Sequence, residues 1–242
     1  MATRKRSRRG RWARRLLALL LLAGLVAAGT AWWRAQHWTP DAAVYPDQGV
    51  HVGELSGEVN LRTARALGAG FVYLDASIGG DGKDRSFTRN FESAQQLGLP
   101  VGAVHHFDPC IPADPQSANF VTIVPREAAL LPPAIAMDKL AEECPQRVSE
   151  AAVASELTTL VNQIEIHAGR PAILKPSRAF ERAYGIAGRI ERNLWLTSNW
   201  TEPSYGGRPW LLWTANDALV SEVSDEPVAW VAVRPSGDVN DE

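Results

Sequence analysis

The chain lacks most of the short signatures that announce a particular chemistry. No Gly-x-Gly-x-x-Gly follows the first predicted strand, so nothing specific favours a dinucleotide fold. No Gly-x-Ser-x-Gly elbow is present to support Ser-His-Asp hydrolysis. Neither a close-spaced His-x-x-x-His nor a Cys-x-x-Cys marks a metal site. Internal repeats and low-complexity tracts are absent. Cysteine is scarce, with only Cys110 and Cys144 among 242 residues. Residues 1–34 hold no acidic side chain at all, against nine Lys or Arg.

That last absence makes the overall net charge of −2 misleading. The 16 basic and 27 acidic residues from Ala35 onward give that part a formal charge of −11. Such a domain is a poor partner for nucleic-acid phosphates and would be repelled by strongly anionic polymers, though not by neutral sugars. With 45% apolar residues the chain has enough material for one compact domain of about 200 residues plus a tail.

The acid-free segment reads as an address. A basic flank (1–15) precedes an apolar run that ends at Trp32-Trp33-Arg34. Residues 16–34 are long enough to cross a bilayer, with an aromatic pair at the far interface. The positive-inside bias puts the N-terminus in the cytoplasm and the rest on the outer, periplasmic side of the inner membrane. Gly29-Thr30-Ala31 offers the alternative of a cleaved signal peptide and a secreted domain. Residues 35–48, with Pro40 and Pro46, form a linker. Residues 49–233 form the folded domain, and 234–242 an acidic tail. In an exported domain the two cysteines, each placed after a predicted strand at the same end of the fold, suggest a disulfide; two free thiols are the alternative.

Patterning predicts strands at 49–52, 71–76, 101–107, 134–138 and 171–174. Helices follow each, at 60–67, 85–97, 115–124, 149–167 and around 177–184. The rhythm then changes: 194–197, 210–214 and 228–233 look like strands with little room between them for helices. Five βα units followed by three strands argue for an α/β barrel of TIM type, a (β/α)5(β)3 barrel behind one N-terminal transmembrane helix. A doubly wound open sheet is the runner-up. In a barrel the functional face lies at the strand C-termini, and Asp138 and Asp75 both end strands there.

Several blocks carry a resemblance in order and spacing: GVHVGELSG (49–57), GAGFVYLDASIGGDGKDRSF (68–87), NFESAQQLGLPVGAVHHF (90–107), LPPAIAMD (131–138), LWLTSNW (194–200) and RPWLLW (208–213). Together they resemble the glycoside hydrolase family 25 lysozymes, the Chalaropsis-type muramidases. The resemblance implies the same five-plus-three barrel and cleavage of the β-1,4 bond between muramic acid and glucosamine in peptidoglycan. It implies no cofactor and no metal.

Carried over residue by residue, the catalytic motifs are degenerate. The family's Gly-x-Asp-x-Ser becomes Gly49-Val50-His51-Val52-Gly53, so His51 stands for the Asp. Its Asp-x-Glu becomes Ala136-Met137-Asp138, which shortens the acid and removes its companion. Its last-strand Val-Asp-x-Asn becomes Val228-Ala229-Trp230-Val231, unless the register uses Asp238-Val239-Asn240 instead. Asp75 stands where the family usually has Lys. Asp138 is thus a candidate general acid, with a raised pKa if set among apolar groups and Asp75 as a relocated partner. Otherwise it is a solvated Asp, or one paired with Lys139 or Lys175.

His105 and His106 are adjacent in a strand and point to opposite faces. One of them could join His51 and Asp138 as a three-ligand metal site. Trp195, Trp210, Trp213 and Trp230 are expected to line a glycan cleft, with core and rim packing as the alternative; Trp200 lies in the same third. The expectation is a membrane-tethered, lysozyme-like envelope protein that binds or acts on peptidoglycan or a related glycan. Its hydrolysis would be lost or strongly reduced; the alternative is an active N-acetylmuramidase using Asp138.

Overall fold

The computed structural model describes residues 5–126 and 129–235, so the tail (236–242) and the alternative Asp238-Val239-Asn240 register lie outside the described residues. The chain divides into a helical unit ending at Trp38 and a second unit starting at Thr39. The first is α1 (Lys5–Gln36). Its stretch Trp12–Gln36, with a mean hydropathy of 2.0, is long and apolar enough to cross a membrane.

The second unit is the expected barrel. β1 (Gln48–Val52), β2 (Phe71–Ile78), β4 (Val101–His106), β5 (Ala134–Met137) and β6 (Ile173–Pro176) are parallel neighbours in the order β6-β5-β4-β2-β1. Each is followed by a helix: α2 (Leu61–Ala66), α3 (Phe87–Leu97), α4 (Ala113–Ile123), α5 (Glu150–Ala168) and α6 (Arg178–Tyr184). β3 (Gly82–Lys83) is a two-residue hairpin partner of β2. The last three strands are β7 (Trp195–Thr197), β8 (Leu212–Leu219) and β9 (Val228–Val233). β9 runs antiparallel between β8 and β1, and a parallel bridge from Leu174 to Leu194 closes β6 onto the β7 side.

The helices begin where the sequence supplies caps. The Asn60, Ser149 and Ser177 side chains accept from the backbone N–H groups of Arg62 and Thr63, Ala152, and Phe180. Expected and observed elements differ by a few residues at their ends, with one larger departure. β8 continues to Leu219, because Ala215, Asn216 and Leu219 stay buried in the sheet beyond the apolar run that was legible.

Alternate residues of every strand point inward. Phe71, Tyr73, Val104, Ala134, Ala136, Ile173, Trp195, Leu212 and Val231 meet in one interior cluster. Two glycines make room for its largest rings. A Cβ at Gly102 would lie 2.2 Å from the Tyr73 ring, and one at Gly49 would lie 2.5 Å from Phe71. Continuing the same inward parity upward places His51, Asp75, His106, Asp138, Lys175, Thr197, Thr214 and Ala229 around the C-terminal mouth.

Cys110, after β4, and Cys144, after β5, form a disulfide with Cα atoms 5.3 Å apart. It joins the two connections that flank Asp138. For a separation of 34 residues, closing this loop in the unfolded chain is worth about 3–4 kcal/mol. Cys110→Ser should therefore lower the unfolding free energy by that order, read from the shift of the denaturant midpoint multiplied by the m-value. Reduction of the wild-type chain should reproduce the loss.

Candidate active site

The mouth is organised by Asp75, at the end of β2. Its Oδ1 accepts from His51 Nε2 at 2.8 Å and from His106 Nε2 at 2.8 Å. Its Oδ2 presses on the β1 turn: a Cβ at Gly53 would sit 2.2 Å from it, so any larger residue would push the carboxylate aside. The far nitrogen of His106, Nδ1, lies 3.8 Å from Asp138 Oδ2, an ion-pair distance rather than a hydrogen bond. Asp75 and Asp138 are therefore one imidazole apart, no more than about 9 Å, a span compatible with the ~6.5–9.5 Å of an inverting carboxylate pair.

The electrostatics follow from this chain. Burial opposes charging of His106, but the flanking carboxylates of Asp138 and Asp75 outweigh it and push its pKa up to about 9. Burial would raise Asp75; the charge of, and hydrogen bonds from, the two imidazoles hold it well below the usual carboxylate range. Burial would also raise Asp138, yet His106 and Lys175 keep it below its ordinary value. His51 is held neutral chiefly by burial, aided by Lys175 and His106. For Asp138 the neighbouring cations favour the ionised form, and about half of the side chain is open to solvent, so the apolar setting that would raise its pKa is not present.

The remaining sequence candidates fall as follows. Ala136 is fully buried inside the barrel, and Ala229 lines the mouth directly opposite His51 in the β1–β9 register. Lys139 pairs with Asp108 at 2.8 Å rather than with Asp138. His106 is the inward member of the histidine pair. His105 faces α4, bonded to Ser77 and Gln116, with burial pulling its pKa down to about 4. Both mouth histidines commit Nε2 to one carboxylate oxygen, so in this arrangement they do not converge on an open metal position.

The four tryptophans expected along a glycan cleft are covered instead. Trp195 is fully buried, with its Nε1 donating to Thr214 Oγ1 at 2.8 Å. Trp210 and Trp213 pack with Tyr45, and Trp230 donates to Gln48. Trp195 takes an inward strand position, and the other three pack against Tyr45 and Gln48 at the entry to β1. Trp200, on the β7–β8 connection, keeps its ring exposed on a left-handed backbone (φ +68°). It adjoins the mutually hydrogen-bonded Asn199 and Asp217.

Between these groups lies a cleft of about 420 Å³, lined by His51, Asp138, Lys175, Thr197, Tyr205 and Asp217 among others. Lys175 Nζ stands 5.2 Å above the Trp195 ring. Tyr205 ties two strands together, accepting from Thr197 N and donating to Pro176 O, beneath the Arg178 guanidinium. Tyr205 and Asp217 carried no sequence signal, since both lie in connections or strand ends without a motif. Lys175 was named from the sequence only as a possible partner of Asp138, and its inward parity with Ile173 brings it to the mouth.

The family model for glycosyl hydrolases family 25 matches residues 50–222. YegX of Escherichia coli K12 is 24% identical over 153 residues, which is 61% of this chain and 53% of that protein. The chain thus spans about half the length of that relative. Lysozyme M1 of Streptomyces globisporus is 32% identical over 62 residues, 26% of this chain and 21% of that protein. A family 25 glycosyl hydrolase from Bacillus anthracis superposes with a TM-score of 0.74 at 23% identity, covering 84% of this chain and 94% of that one. A bacterial lysozyme from Streptomyces coelicolor gives 0.70 at 18% identity, covering 79% and 93%. These superpositions show a shared fold.

The two adjacent β4 histidines, one at the mouth and one facing α4, predict a stability optimum on the pH axis. The raised His106 pKa contributes stability that is complete below its unfolded value of 6.5 and is lost as pH rises through about 9. The depressed His105 pKa works the other way: its contribution is present above 6.5 and lost as pH falls toward 4. Stability should peak between those limbs. His106→Gln should flatten the alkaline limb and cost about 1–3 kcal/mol at neutral pH, less than a fully buried pair because the mouth is open to water. Thermal unfolding across pH measures both effects.

Proposed function

The chain belongs to glycosyl hydrolase family 25, and on that premise we propose a membrane-anchored envelope protein that binds peptidoglycan or a related glycan, with hydrolysis lost or strongly reduced. The observation that carries this reading is the state of the mouth carboxylates. Glycoside hydrolysis needs one carboxyl to protonate the leaving oxygen and another to serve as base, nucleophile or charge stabiliser. Here Asp75 Oδ1 already accepts from two imidazoles, and His106 and Lys175 favour the ionised form of Asp138. Ala136 and Ala229 offer no replacement. Losing an acid or base typically costs about 10²–10⁴ in rate, and several losses at one site compound.

The cleft itself supports binding. Lys175, Thr197, Tyr205 and Asp217 present donors and acceptors suited to sugar hydroxyls, and Trp200 adds an exposed ring at the rim. The basic residues that precede the apolar stretch of α1 favour a barrel on the outer face of the inner membrane. Cleavage after residues 29–31 would release the same barrel.

One observation favours a second reading. The one-imidazole spacing of Asp75 and Asp138 suits an inverting pair, as an active N-acetylmuramidase would require, with Asp138 as acid and Asp75 as partner.

Incubating the purified full chain with insoluble peptidoglycan separates the two. The expected result is co-sedimentation with the wall and reducing-end release at least about 10²-fold below that of an active family member. Release that disappears in Asp138→Asn would establish the second reading in its place. Failure to bind at all would overturn the glycan-binding proposal.

A further inference from the structure

We propose that the cleft at the barrel mouth selects a sugar bearing a carboxylate, seated against the end of β6 by Lys175 and Arg178. The inference rests on the reading that this cleft binds a glycan, and it names the kind of sugar.

The charged groups that line the cleft differ in their partners. Both acids are engaged: Asp138 faces His106 Nδ1 at 3.8 Å, and Asp217 Oδ1 accepts from Asn199 Nδ2 at 2.8 Å. The two cations, Lys175 and Arg178, make neither an ion pair nor a side-chain hydrogen bond among the described residues. Each lies over an aromatic ring instead, Lys175 Nζ 5.2 Å from the centre of Trp195 and Arg178 Cζ 4.7 Å from that of Tyr205. A ring face steadies a cation but leaves its N–H donors open. Tyr205 is a fixed platform, because its hydroxyl is bonded to Thr197 N and Pro176 O.

Lysine is seldom withdrawn from water without an acid beside it. Lys175 is half-buried at the inward-pointing end of β6, and its charge bears on His51, His106 and Asp138 alike. Asp138 already has the His106 cation as its neighbour, so the β6 wall is left with positive charge. The facing wall is unlike it: Thr214 and Ala229 carry no charge, and Asp217 follows farther along β8. Such a cleft orients its ligand. An anionic substituent is drawn to β6 and turned away from Asp217, which is left to accept from hydroxyls. A guanidinium and an ammonium three residues apart on one strand-to-helix turn suit the two oxygens of one carboxylate. The acidic surplus of the rest of the domain opposes a densely charged polyanion, which leaves a sugar with an isolated carboxylate. Two sources supply one: a muramic acid whose lactyl group carries no peptide, and a hexuronic acid.

The test titrates the detergent-solubilised full chain calorimetrically with matched trisaccharides. One pair holds a muramic acid between two N-acetylglucosamines, with its lactyl carboxylate free or as the methyl amide. The other pair holds a glucuronic acid in that place, free or as its methyl ester. The expected result is that a free acid binds about 10-fold or more tightly than its neutral counterpart, by a margin that shrinks with added salt. The pair that shows the margin identifies the source of the carboxylate. Lys175→Gln and Arg178→Gln should each narrow the margin severalfold, whereas Lys175→Arg should keep it and Asp217→Asn should not reduce it.

Equal affinity for acid and neutral forms in both pairs would overturn the inference and leave glycan binding standing. So would a margin that survives both glutamine variants. Failure of every trisaccharide to bind would overturn the inference too, and co-sedimentation with insoluble peptidoglycan would then show whether the glycan-binding reading falls with it.

Discussion

One oxygen, Asp75 Oδ1, sets the arrangement of the barrel mouth. It accepts from imidazoles on two neighbouring strands, β1 and β4, and so binds three adjacent strand ends into one unit. The unit is self-consistent in both charge and shape. Gly53 leaves room for the Asp75 carboxylate, which a larger side chain there would meet. His51, Gly53 and Asp75 look unrelated in sequence, and in space they form one contact set.

The consequence for chemistry runs through His106. An imidazole bracketed by two carboxylates is stabilised as a cation, and a cation beside Asp138 favours the carboxylate over the acid. A leaving oxygen is protonated by an acid that is neutral before it reacts, and this neighbourhood opposes that state. The same cluster gives the mouth a balanced set of fixed charges over a cleft of sugar size. That is the physical basis for preferring binding to turnover in the proposed function.

The two ends of the barrel differ because the same strands end in different residues. Upward, each inward position becomes polar: His51, Asp75, His106, Asp138, Lys175. Downward, the inward positions are glycine, aromatic and aliphatic, and the space between them stays apolar. The disulfide between Cys110 and Cys144 and the Asp108–Lys139 pair hold the connections on the polar side.

Much of this was legible in the chain before any coordinates. Hydrophobic runs of strand length, glycine stops and the late loss of helical spacing specify five βα units and three closing strands, because local patterning encodes which face of each element is buried. Two cysteines in consecutive connections at one end point to their pairing for the same reason, and Asp138 and Asp75 could be placed at strand ends. What the chain alone could not decide is where side chains meet across strands that lie far apart in sequence. That His106 stands between Asp75 and Asp138, that Lys139 turns to Asp108, and that Trp195, Trp210, Trp213 and Trp230 bury their rings all depend on strand stagger and closure. A residue's protonation and exposure are properties of its neighbours in space. Patterning determines the barrel and the seats at its mouth, and the tertiary structure determines who shares a proton with whom.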